Sequence, residues 1–126
     1  MTAFPAAAAE FVPTLSLPDL DEPAVRGLGW KKAVRERYDN LVMAFRAASN
    51  RALGNPAPNL LGGYAEFIQQ FVPEVADREL RLVFQLASDP HAAMCWGDGG
   101  NVYFWAPAAD LRRKRFDEVF TDYQCG

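Results

Sequence analysis

The sequence predicts an α+β fold, with an antiparallel or mixed sheet from the C-terminal third and one long amphipathic helix, about residues 30–52, packed on it. Three observations carry this. Apolar residues recur at three- and four-residue steps from Trp30 to Ala52. Leu80-Arg81-Leu82-Val83-Phe84-Gln85-Leu86-Ala87 alternates like a strand. Two further apolar runs flank Gly97-Asp98-Gly99-Gly100-Asn101. Helices repeat every 3.6 residues and strands every two, so the two patterns belong to different elements. At 126 residues and 50% hydrophobic, the chain has material for one core and none for a second.

In chain order, residues 1–10 read as a loose alanine-rich arm and residues 11–126 as a single domain. Phe11 to Pro18 alternates apolar and small polar positions between prolines, which suits a short edge strand, because proline cannot donate to a ladder. Asp19-Leu20-Asp21-Glu22-Pro23 is helix-start chemistry, with acids and a proline at the N-terminal end. Gly27 and Gly29 interrupt it, so the long helix should begin near Trp30. Its apolar stripe is Trp30, Val34, Tyr38, Leu41, Phe45, Ala48 and Ala52, and Gly54 is its stop, with Pro56 and Pro58 beyond.

The middle, residues 54–79, is irregular. Gly62-Gly63 marks a tight turn, and Tyr64, Phe67 and Phe71 are placed to pack the segment against the rest. No Gly-Lys-Ser/Thr follows the glycines, so this is no phosphate loop. In Leu80–Ala87 the alternation puts Leu80, Leu82, Phe84 and Leu86 on one hidden face. Asp98-Gly99 between Ala92–Trp96 and Val102–Trp105 predicts a hairpin, and a three-residue loop would pair Trp96 with Val102 and Met94 with Phe104. Ala108–Lys114 suits a short helix, and Phe116–Tyr123 a last strand.

Charge and composition narrow the function classes. Thirteen basic against 16 acidic residues give a net charge of −3, which disfavours a broad grip on nucleic acid. The basic run Arg112–Arg115 is flanked by Asp110, Asp117 and Glu118, as in a solvated helix end. No stretch approaches the roughly 20 apolar residues that span a bilayer, and Met1–Glu10 lacks a basic leader, so a cytoplasmic location is expected. Cys95 and Cys125 are too few for a disulfide scaffold, and whether they pair is left open. His91 and Cys95, four apart on a strand, would stand roughly 13 Å from each other, too far for nucleophilic activation. One histidine and two cysteines fall short of a zinc site. No catalytic, metal or cofactor motif stands out, which leans away from an enzyme.

Within the last third, Met94-Cys95-Trp96-Gly97-Asp98-Gly99-Gly100-Asn101-Val102-Tyr103-Phe104-Trp105 resembles the Trp-Gly-Asp-x-Gly stretch of the YwqG-like family of uncharacterised bacterial domains. Asp110-Leu111, Phe116 with Val119, and Cys125 follow in the family's order. Upstream, Leu82-Val83-Phe84-Gln85-Leu86 resembles its Leu-Gln-Ile strand. Leu61-Gly62-Gly63-Tyr64 to Gln69 resembles its Gly-Gly-Tyr-Pro loop, with Ala65 in place of the proline. Members are about twice as long, and this chain resembles their C-terminal half only. The resemblance implies an α+β fold, an apolar surface left by the absent half, and a homodimer that would bury it. It also implies a binding role as an accessory or immunity-like factor, with a protein partner that is a second copy or a neighbour-encoded protein.

The expected function is therefore a small cytosolic domain acting by protein–protein contact. Its candidate binding surface is Gly62, Gly63, Tyr64, Gln69 and Gln85 together with Trp96, Asp98 and Asn101 at the hairpin tip. The alternative is a small-molecule or enzymatic pocket between the Gly62-Gly63 turn and Asp98, on which Gln69 and Gln85 converge. Against it, Asp in such a turn ordinarily serves its own backbone, and the aromatics from Trp96 to Trp105 have no basic residues interleaved for stacking nucleic-acid bases.

Overall fold

The computed structural model describes residues 4–54 and 58–126. Its elements, in chain order, are α1 (Pro23–Arg26), α2 (Lys32–Ala52), β1 (Leu60–Leu61), α3 (Pro73–Asp77), β2 (Leu80–Ala87), β3 (Asn101–Pro107), α4 (Ala108–Arg112) and β4 (Phe120–Gln124). The four strands form one antiparallel sheet in the order β1-β2-β3-β4. The fold is thus α+β, as the two periodicities imply.

The core lies on one face of this sheet. Leu80, Leu82, Tyr103 and Trp105 project from β2 and β3, and Leu60 from β1. The middle segment covers them with Ala65, Val72 and Val75, and with Phe67 and Phe71 at the edge. Phe67 stacks on Trp105 at 5.9 Å between centroids with 13° between the planes, and meets Tyr103 at 5.6 Å and Phe71 at 5.5 Å. Tyr103 and Trp105 are 0% and 1% exposed. Rings of that size contribute on the order of 5 kcal/mol each by burial. The segment is therefore held by its own aromatics, as its composition suggests.

β2 departs from the simple alternation. Leu82 faces Trp105, but Phe84 faces Phe104, so Val83 is an extra residue, a β-bulge. One inserted residue exchanges the faces of everything after it. Leu80 and Leu82 point into the core before the bulge, and Gln85 and Ala87 after it. Phe84 and Leu86, expected on the hidden face, lie on the opposite one.

Three other expectations are corrected. Residues 11–18 are irregular rather than an edge strand. Pro13 and Pro18 remove two donors, and the neighbouring edge, β1, offers only two residues for pairing. Ala92–Trp96 is no strand either, so neither Trp96–Val102 nor Met94–Phe104 pairs. Pro90–Ala92 makes a 3₁₀ turn whose Asp89 side chain accepts from His91 N at 2.8 Å, and Ala93 at φ 54° bends the chain back to an Asp89–Met94 bridge. β3 pairs instead with the longer β2, Leu86 against Val102 and Ala87 against Asn101. The last strand is shorter than expected, beginning at Phe120.

α2 begins two residues after Trp30, and its inner face is rotated from the expected stripe. Val42 and Asn50 are buried and Tyr38 and Phe45 half-buried, whereas Val34 and Leu41 are 45% and 58% exposed. Polar anchors set this rotation. Tyr38 Oη donates to Pro18 O at 2.8 Å, Arg46 Nη2 to Ala65 O at 3.1 Å, and Asn50 Nδ2 to Glu66 Oε2 at 3.1 Å. A pattern of apolar residues alone does not register such bonds. Gly54, at φ 68°, follows the helix end as expected, while Asn55, Pro56 and Ala57 lie outside the described residues. Both cysteines are free.

The rotation is testable by truncation. Val42→Ala should cost about 2 kcal/mol, as for a buried methyl pair, and Leu41→Ala less than about 0.5 kcal/mol. Denaturant melts of the two variants distinguish the observed face from the expected one, which would reverse the order.

Candidate functional site

The Gly62-Gly63 turn joins three parts of the molecule. Both residues have positive φ, 71° and 75°, which an L side chain rarely adopts. Gly62 N donates to Val83 O at 3.1 Å, which ties the turn to the bulge. A Cβ on Gly63 would stand 2.5 Å from Ser16 Oγ, and that hydroxyl accepts from Tyr64 N at 2.9 Å. A side chain at 63 would displace the Ser16 strand of chain that crosses here.

Beyond the turn, two buried glutamines hold the segment's backbone. Gln85 Oε1 accepts from Glu66 N at 2.9 Å, and its Nε2 donates to Pro58 O at 3.0 Å. Gln124 Oε1 accepts from Ile68 N and Gln69 N at 3.1 and 3.0 Å, and its Nε2 donates to Gln70 O at 2.8 Å. Tyr103 Oη donates to Glu66 O at 2.9 Å, and burial pushes that phenol up to about 12. Gln85 is 0% exposed, so this expected site residue works inside the fold.

The remaining expected residues are spread around the sheet. Asn101 is buried, donating to Tyr103 Oη at 3.3 Å, with its Oδ1 unpartnered among the described residues. Gln69 is exposed, and its Nε2 donates to Cys125 O at 2.7 Å. Trp96 is half-buried, its backbone N–H donating to Ser88 Oγ at 2.8 Å and its ring edge-on to Phe4 at 5.8 Å. Asp98 is exposed in the turn closed by Gly100 N to Trp96 O at 2.6 Å.

A cleft does open beside the glycine turn, on the sheet face turned away from the core. Its volume is about 850 Å³. Its floor is Leu61, Phe84 and Leu86, its far wall Asp89, Ala92 and Met94, and its near wall the arm from Phe4 to Thr14 with Ser16. Gly62 and Gly63 line its rim; Asp98, Gln69 and Gln85 do not line it. By register Val102, Phe104 and Tyr123 share this face, and Phe104 stacks on Phe84 at 6.5 Å. Residues 4–15 are all exposed, with Phe11 at 75%. Among the described residues, none of 4–13 makes a backbone hydrogen bond to the sheet.

Sequence reasoning centred on the hairpin tip missed this face. The signal that carries it is the apolar residues at both parities, Leu82 with Val83 and Phe84, and Val102 through Trp105. Such runs belong to strands covered on both sides. Among the described residues no three His, Cys, Asp or Glu side chains group as a metal site. No helix among them is long and apolar enough to cross a membrane.

The main electrostatic anomaly lies at the start of α1. The Glu22 carboxyl, 6% exposed, is pushed up to about 7 by burial and then by Asp19, against the opposing pull of Arg81 and Arg46. Among the described residues no ion pair satisfies it.

Residues 8–125 match the model of a family described as a domain of unknown function, DUF1963. No curated protein matches the chain. The match runs from the arm to the end of β4, so the expectation that the chain is a C-terminal half alone is not borne out.

Glu22 makes the fold pH-sensitive with a definite sign. A carboxyl whose folded pKa lies above its unfolded value favours the folded state fully below about pH 4.5, and this contribution is lost as pH rises toward 7. Glu22→Gln should match the parent chain near pH 4.5 and exceed it by on the order of 2 kcal/mol at pH 8. Denaturant melts of both proteins across this range measure the divergence, and parallel curves would contradict it.

Proposed function

The chain belongs to this family of domains of unknown function, and from that premise we propose a function drawn from the cleft: a binding domain that acts by protein–protein contact. Its occupant is a largely apolar segment of a partner protein, lying across Phe84 and Leu86 beside the Gly62-Gly63 turn. The finer reading is a YwqG-like accessory or immunity-like factor of the bacterial cytosol, where two unpaired thiols are at home.

The observation that carries the reading is the arm. Phe4–Thr14 already borders the cleft as an irregular, alanine-rich segment, packed through Phe4 on Trp96. Its apolar composition supports this choice of occupant. Its attachment leaves the cleft exchangeable, since side-chain packing rather than a hydrogen-bonded ladder holds it. Half-exposed aromatic and branched residues on one contiguous face are the usual composition of an interaction surface. A volume near 850 Å³ also suits a small apolar ligand, whose sites run to roughly 300–1,000 Å³. That second reading needs convergent polar groups, and Asp98, Gln69 and Gln85 lie elsewhere.

A peptide copying Phe4–Thr14, titrated into the isotope-labelled full chain, tests the proposal. It should shift the amide resonances of Leu61 to Gly63, Leu86 and Met94, and Leu61→Asp, at a position 69% exposed, should abolish the response without altering the fold. No response at millimolar peptide, or a response to a small apolar dye alone, would overturn it.

A further inference from the structure

Both cysteines approach one glycine at the end of the sheet. Gly97 sits at φ 56°. On one side of it Cys95 Sγ donates to Gly97 O at 3.1 Å. On the other, a Cβ at Gly97 would stand 3.2 Å from Cys125 Cβ and 3.4 Å from Cys125 Sγ, with Tyr123 Oη closing the same space. A Cβ at Gly100 would likewise stand 3.0 Å from Cys125 Cβ. The turn from Cys95 to Gly100 is therefore pressed directly on the last residues of β4. From the far side, Gln69 Nε2 holds Cys125 O at 2.7 Å.

The chemistry of the neighbours fits paired thiols. Cys95 is exposed and Cys125 half-buried, so one sulfur is open to solvent and the other shielded. The nearby Cys125 thiol raises the Tyr123 phenol above its ordinary range, with Asp98 and Cys95 adding to it. Three glycines, at 97, 99 and 100, let the turn hinge. Cys95 needs that freedom to leave the Gly97 carbonyl and reach the bonding distance of about 2 Å.

We propose that Cys95 and Cys125 form a reversible redox pair, closed to a disulfide by hydroperoxides. The exposed Cys95 thiolate attacks one peroxide oxygen. An S–O bond forms, the O–O bond breaks, and the leaving oxygen takes a proton to give water or an alcohol. The Cys125 thiolate then attacks the sulfenic sulfur, forming the S–S bond and releasing the second oxygen as water. Two thiols lose two electrons and one peroxide gains them. Closure ties the turn to β4. Because Trp96 follows Cys95 and carries Phe4 of the arm, it also fixes the arm's anchor.

The test uses the full reduced chain with one equivalent of hydrogen peroxide, read by intact mass and thiol titration after unfolding. Expected are a monomer lighter by two hydrogens, loss of both thiols, recovery of both with dithiothreitol, and a Cys95–Cys125 linked peptide after digestion. Closure should be at least about tenfold faster in native buffer than in guanidinium, since the fold keeps both cysteines beside Gly97. Cys95→Ser and Cys125→Ser should each give no intramolecular bridge. Oxygen adducts only, intermolecular dimers only, or equal rates folded and unfolded would overturn the proposal. The thiol count is read whether or not either variant folds.

Discussion

A long stretch of irregular backbone forms one wall of the core, and its polar groups have no helix or ladder partners to satisfy them. That constraint organises this molecule. The two carboxamides of Gln85 and Gln124 meet it. Between them they bond Pro58 O, Glu66 N, Ile68 N, Gln69 N and Gln70 O, and Tyr103 takes Glu66 O. Each such group left unpaired would cost about 1–3 kcal/mol, comparable in sum to the whole stability of a small domain. A carboxamide suits the task because it donates and accepts from one rigid plane and carries no charge into the interior. The bulge at Val83 is part of the same solution, since without it Gln85 would point away from the segment it holds.

From the bulge follows the division of the sheet. One face is closed by Phe67, Phe71, Val72 and Val75 over Trp105 and Tyr103. The other carries Phe84, Leu86, Val102 and Phe104 and is only bordered by the arm, which leaves the cleft. The same turn, Gly62-Gly63, serves both faces: it is bonded to Val83 behind and stands at the cleft's rim in front. The glycines are needed for their backbone geometry and for the close approach of Ser16, and this accounts for their place beside the cleft without any phosphate chemistry.

Much of the architecture was legible. The helix from the Trp30 region to Gly54, the β2 and β3 strands and the short helix beginning at Ala108 all follow from periodicity and turn chemistry. What escaped was decided by single residues acting at a distance. Val83 adds one residue and reverses the faces of Phe84 and Leu86, an event that alternation cannot record. α2 is turned by Arg46, Asn50 and Tyr38, whose partners lie 16–20 residues away in the chain. The Asp98-Gly99 signal marks a real turn, but the strand before it lost β3 to the longer β2. At the candidate site, Gly62 and Gly63 were found where the cleft opens. Gln85, Gln124 and Asn101 look the same in sequence whether they bind a ligand or a neighbouring backbone, and only the fold distinguishes these uses.

Amide hydrogen exchange tests most directly that glutamine side chains hold this segment. The N–H groups of Glu66, Ile68 and Gln69 belong to no helix or strand, yet they should exchange nearly as slowly as the β2–β3 ladder. Exchange of all three at the rate of a free loop, with the ladder still protected, would contradict the account.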